Sequence, residues 1–394
     1  MYARTMGIII FFLFISVQAV QAEEEGNSRE EIAQSLIDSQ LESLNIDELI
    51  VFWNNILDEY GGYLPESQKG TLTEFLRGEK KFSPQEWVKG FGKFIFHELL
   101  VNGKLLGTLI LLSIFSFVLQ AIQNAFEKST VTKAADAIVF IVLLIIALNS
   151  FHVVIEYASE TVEAMTSFII ALIPLLLALI ASSGGLISAA FFHPVILFLM
   201  NICGIFIEYI VLPLLFLSAL LGIVSTITEH YKVTQLGNLL RNWSVGLLGI
   251  FLTVFLGVIS VQGASAAVTD GIALRTAKFI TGNFIPVVGR MFTDAADTVI
   301  SASVLLKNTV GIIGVVILLF IVAFPAVKIL VVSFIYRLAA ALLQPLGGGP
   351  VLKTLDIMSK SVMYVFAALA IVSLMFFLSL TVIISAGNLT LMVR

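Results

Sequence analysis

Charge is what this sequence has least of. Only 12% of its 394 residues are Asp, Glu, Lys or Arg, about half the roughly 25% of a typical soluble domain. A water-soluble surface cannot be covered from so small a polar supply. Cysteine occurs once, at Cys203, so an intramolecular disulfide and a cysteine-based zinc site are both excluded. Its apolar surroundings make it a buried small hydrophobe. The four histidines (His97, His152, His193, His230) are scattered without metal-ligand spacing. No Gly-x-x-x-x-Gly-Lys-Ser/Thr phosphate loop and no Gly-x-Ser-x-Gly elbow occurs. ATP hydrolysis by this chain is therefore not expected, nor is enzyme chemistry, a cofactor or a metal. No basic stripe is available to neutralise phosphates, which argues against nucleic acid as a partner.

What is abundant is apolar surface. Hydrophobic side chains make up 58% of the chain, with 31 Phe, and the mean hydropathy is +1.02. The expected class is an all-α, polytopic helical membrane protein of about eight transmembrane helices with a small N-terminal extracytoplasmic helical head. Residues 1–22 read as a signal peptide. Arg4 supplies the positive end, Met6 to Val17 the apolar core, and Val20-Gln21-Ala22 a cleavage site after Ala22. An uncleaved anchor is the alternative, and either form leaves Glu23 outside.

Residues 23–100 carry 16 acidic and 7 basic side chains, a net of −9. This acidic head shows helix punctuation. Ser28 to Glu31 has capping-box spacing before an amphipathic run. A helix from about Asp47 should bury Leu49, Ile50, Trp53, Ile56 and Leu57 and stop at Gly61-Gly62. Thr71 to Glu74 and Ser83 to Glu86 repeat the cap, the second with proline at the first helical position. So small a head has a marginal core, so it either docks on a partner or membrane surface or presents a solvated acidic face.

The multi-span domain, 101–394, offers spans near 104–123, 135–155, 163–182, 187–208, 210–227, 243–266, 309–335 and 361–385. Pro194 and Pro213 are the break points that divide 187–227. Basic residues set the orientation. Lys128 and Lys133, Lys232 and Arg241, then Arg337, Lys353 and Lys360 mark cytoplasmic connections, whereas Glu156, Glu160 and Glu163 mark an outer loop. Segment 269–308 is amphipathic and broken by Gly282, Pro286 and Gly289. It reads as interfacial or re-entrant helices, the latter tolerated only where protein or water covers the backbone.

Intramembrane polar residues are the functional candidates in such a chain. Glu208 is flanked by Phe206-Ile207 and Ile210-Val211, and the split places it at the outer interface. Lys328 can snorkel to the cytoplasmic side, and Asn149, His193 and Asn201 can bridge helices. Gly347, Gly348 and Gly349, bracketed by Pro345 and Pro350, lie in a Gly/Pro-rich cytoplasmic loop, 338–360, that reads as a hinge, a re-entrant tip, a docking loop or a plain flexible connector.

Two segments carry a resemblance: Thr281-Gly282-Asn283-Phe284-Ile285-Pro286-Val287-Val288-Gly289 and Leu343-Gln344-Pro345-Leu346-Gly347-Gly348-Gly349-Pro350. Together with the signal peptide, acidic head and multi-span body, they make the chain resemble the stage III sporulation protein AE family of endospore-forming Gram-positive bacteria. The resemblance implies a multi-pass component of the mother-cell membrane surrounding the forespore, in a channel- or secretion-like complex. Its implied partners are a separate ATPase, ring-forming subunits and membrane lipid. It names no active residue. Two functional readings stand: a subunit contributing to a transport conduit, with Glu208, Pro286, Gly289 and Gly347 to Gly349 as candidate pathway or assembly residues, or a non-conducting scaffold.

Overall fold

The computed structural model describes residues 46–66, 69–77, 79–80, 83–125, 130–226, 233–284, 288–346 and 349–392. Ala22, Pro286, Gly347 and Gly348 lie outside the described residues, as do the signal peptide and the Ser28 cap. Among the described residues all regular structure is helical. The N-terminal part holds α1 (Asp47–Tyr60), α2 (Leu72–Leu76) and α3 (Pro84–Val101). The long bundle follows: α4 (Gly103–Ala125), α5 (Thr130–Ser182), α6 (Leu186–Phe206), a π-turn (Ile207–Val211), α7 (Leu212–Val224), α8 (Thr234–Phe284), α9 (Val288–Leu343) and α10 (Pro350–Met392).

The N-terminal helices follow their sequence signals. α1 buries Leu49, Trp53, Ile56 and Tyr60, leaves Ile50 and Leu57 half-buried against the expectation, and is stopped at Gly61. The cap before α2 is half made. Thr71 is the N-cap, its own side chain makes no capping bond, and Glu74 reaches back to the Thr71 backbone. A hydrogen bond from Lys80, with the one from Thr71, holds the half-buried Glu74 carboxyl below its usual range. Pro84 opens α3, where its missing N–H costs nothing.

Among the described residues, six helical stretches are long and apolar enough to cross a membrane, where the sequence suggests about eight spans. Segments 135–155 and 163–182 are one helix, because Glu156, Glu160 and Glu163 are good helix formers and no glycine separates the two halves. Segments 187–208 and 210–227 also continue into one another. Pro213 cannot donate to the ladder, and the π-turn absorbs the mismatch: the Leu212 N–H bonds to the Ile207 carbonyl, five residues back. The 338–360 segment is mostly helical as well. α9 runs to Leu343, a 3-10 turn covers Gln344–Leu346, and Pro350 starts α10. Segment 269–308 is carried by α8 up to Phe284 and by α9 from Val288.

Serine and threonine, not Asn149 or Asn201, tie the helices together. Both asparagines are exposed. Ser333 and Ser359 each donate to the other's carbonyl at 3.0 and 3.1 Å, Ser218 donates to Gly237 at 2.7 Å, and Ser244 to Val211 at 3.2 Å. Short hydroxyls reach a neighbouring backbone where longer amides do not. At one end, the Thr226 and Thr354 hydroxyls meet at 2.9 Å and Gly349 lies against Gln120. The three connections flanked by lysine and arginine therefore gather at the same end of the bundle.

Candidate functional site

The N-terminal helices clamp onto the middle of α5 and α9 through aromatic rings. Tyr60 stacks flat on Phe324, with centroids 3.9 Å apart and planes at 5°. Trp87 stacks on Phe320 at 3.8 Å, and Phe94 meets Phe324 edge-on at 4.9 Å. Phe52 of α1 meets Phe168 of α5 at 5.3 Å. The clamp is braced from within by the Trp53 indole, which donates to the Gly70 carbonyl at 2.8 Å. Such ring pairs contribute about 0.5–1.5 kcal/mol each beyond their burial.

At the edge of this clamp sits Lys328. Its ammonium is 3.2 Å from a Glu59 carboxylate oxygen and 5.3 Å from the ring centroids of both Tyr60 and Tyr157. A cavity of about 340 Å³ opens beside it, lined also by Asn55, Glu160 and Thr161. Cation–π contacts are worth about 0.5–2 kcal/mol depending on solvation. They explain why Lys328 does not snorkel to the far side: two ring faces and a carboxylate hold it where it is. Burial pushes the Tyr60 hydroxyl above its ordinary value of 10.0, reinforced by a hydrogen bond and the charge of Glu59.

That shift has a testable sign. Docking raises the Tyr60 pKa, so its contribution is complete below about pH 10 and is lost as pH rises beyond it. Trp53 and Trp87 fluorescence should therefore change above pH 10 as the clamp loosens. Tyr60→Phe should abolish that alkaline step, and an unchanged step in Tyr60→Phe would refute the assignment.

Glu208 stands on the π-turn, half-buried. Gly204, one turn earlier, packs against Thr166, which sets Glu208 level with Glu163 rather than in a loop. Gly349 is at the far end of the bundle, away from the clamp, and Gly289 lies in the first turn of α9. The candidates among the described residues, Glu208, Gly289 and Gly349, are thus not brought together. Cys203 is buried against Met375, sulfur to sulfur at 3.8 Å. Among the described residues no group of three or more His, Cys, Asp or Glu is placed to hold a metal. The residues that do converge (Glu59, Tyr60, Tyr157, Glu160) carry no motif. Their one signal was a lysine left within an apolar run.

An apolar helical bundle with six candidate spans among the described residues, the first running from α3 into α4, and with N-terminal helices clamped to its flank, has the build of a polytopic membrane protein whose conspicuous site is a structural junction. Comparison with known sequences supplies the lineage. The chain belongs to the stage III sporulation protein AE family, whose model matches residues 67–387. It is 69% identical over 378 residues to "Stage III sporulation protein AE" of Bacillus subtilis (strain 168), covering 96% of this chain and 95% of that protein. No solved structure matches it. Family membership places the chain in spore formation.

Proposed function

We propose that this protein anchors and positions the other components of a channel- or secretion-like complex in the mother-cell membrane around the forespore. On this reading a separate ATPase docks at the end bearing the basic connections, while the N-terminal helices, freed by cleavage after Ala22, face ring-forming subunits outside the cytoplasm. The observation that favours an anchor is the filled interior. Phe151, Phe168, Phe320, Tyr336 and Phe376, from α5, α9 and α10, are all fully buried between the helices. Close-packed interiors leave no room for a solvated lumen.

The conduit reading draws on a different observation and moves the path between chains. Glu208 is only half-buried on its π-turn, a feature often found at functional positions, and added side-chain atoms at Gly246, Gly249 and Gly257 of α8 would meet nothing within 4 Å. Cysteine scanning separates the two in sporulating cells. In a Cys203→Ser background, single cysteines along 187–224, 243–261 and 340–352 are probed with a membrane-impermeant thiol reagent. Labelling confined to helix ends and connections is expected for an anchor. A labelled stripe deep along α8 would overturn it in favour of a conduit.

A further inference from the structure

The apolar bundle is too tall for one bilayer. Ala137–Ser182 and Val299–Leu346 run for 46 and 48 residues, about 70 Å each at 1.5 Å per residue, against a hydrocarbon core of about 30 Å. At a steep tilt of about 40° such a helix still rises more than about 50 Å. Much of its height is therefore outside hydrocarbon, whichever part the bilayer covers.

A charged waist divides that height. Lys328 lies over Tyr157. The Ser333–Ser359 pair sets Tyr364 level with Lys328, and Arg241 sits over Tyr364 at 5.1 Å. Arg241 of α8 thus shares a height with Glu156 and Glu160 of α5. The signs are separated: Glu156, Glu160 and Glu163 lie exposed along one face of α5, whereas α8 packs chiefly on α7 and α10. Below Arg241 are exposed Lys353 and Lys360, the latter paired with Asp356 at 2.7 Å. On both sides of the waist, large apolar side chains face outward. Ile145 is 61% exposed on one side, and Phe198 (65%) and Ile312 (58%) on the other. Lipid can cover one of these tiers and not both, and contiguous apolar surface left in water marks an interaction site.

We propose that further copies of this chain cover it, packed side by side in one orientation, with the Glu156–Glu163 face of one copy against the Arg241 flank of the next. Copies inserted the same way in one bilayer bring waist to waist and apolar tier to apolar tier with no vertical offset. Opposite charges then meet at the same height, in a head-to-tail lateral contact. The inference rests on the membrane reading and is indifferent to whether the complex conducts.

The test uses the full-length protein in mild detergent. Wild type is expected as particles of more than one copy by light scattering. Glu156→Arg or Arg241→Glu should weaken self-association about tenfold, and the double variant, with the charges exchanged, should recover it. Monomeric wild type, or charge changes without effect, would overturn the proposal. Where a single variant fails to fold, judged by helical circular dichroism, a cysteine cross-link decides instead. Differently tagged copies carrying Glu156→Cys and Arg241→Cys in the Cys203→Ser background are then tested in intact cells. A disulfide joining the two tags supports the contact, and its absence refutes it. Failure of the membrane reading would register separately, as protein that does not sediment with membranes.

Discussion

Replacing Phe324 with alanine is expected to release the N-terminal helices from the bundle. Phe324 is buried and lies where three rings converge: Tyr60 flat against it, Phe94 edge-on, and Phe91 at 5.0 Å. Removing a buried phenyl ring costs about 3–5 kcal/mol in a packed site. Here the loss falls mainly on one junction, because three of the four rings around Phe324 belong to the N-terminal helices and the fourth, Phe320, to α9 itself. Limited proteolysis of the purified protein should show 47–101 becoming cleavable while the apolar helices stay protected, and heat-resistant spore counts should fall. Phe324→Leu should retain most of the docking, since volume matters more than the ring's quadrupole. If Phe324→Ala leaves the segment protected, the aromatic clamp is not what holds it. Lys328→Ala should act in the same direction and more weakly, because its Glu59 partner is well exposed and solvent screens the pair.

Why the clamp was invisible in the sequence is instructive. The periodicity of α1, its stop at Gly61 and the proline opening α3 are local signals, and each appears where the sequence places it. The partner of Lys328 is 269 positions away, and no spacing rule links such residues. Charge was also misleading when taken as punctuation. Glu156, Glu160 and Glu163 suggested a loop, yet Glu favours helix and its charge is tolerated wherever the helix stands in water. Pro213 suggested a second break, which the five-residue π-turn removes. Composition gave the class and the apolar tiers. Eight apolar segments fall on six candidate stretches among the described residues, because two apolar segments on one continuous helix read, by composition alone, like two helices.

Glycines at the centre of the bundle provide the second large effect, and there two substitutions of the same kind should have opposite signs. α9 approaches α10 so closely at Gly311 that an added Cβ would lie 2.6 Å from Ile384 Cγ1 and 2.7 Å from its Cδ1. At Gly314 it would lie 2.6 Å from Leu172 Cδ2 on α5. Ile384 is β-branched and has few rotamers into which it can retreat, so the backbones themselves must part. Close approach through small residues is a principal source of helix association where water supplies no hydrophobic drive. Gly311→Ala is therefore expected to destabilise by about 1–3 kcal/mol, the usual cost of overpacking, and Gly311→Leu by more. Gly249, on the outer face of α8, has nothing within 4 Å of such a Cβ. Gly249→Ala should gain up to about 1 kcal/mol from helix propensity alone. Thermal unfolding in detergent, followed by circular dichroism, measures both. A Gly311→Ala protein as stable as wild type would mean that α9 and α10 do not meet at this distance, and the register that levels the charged waist would fall with it.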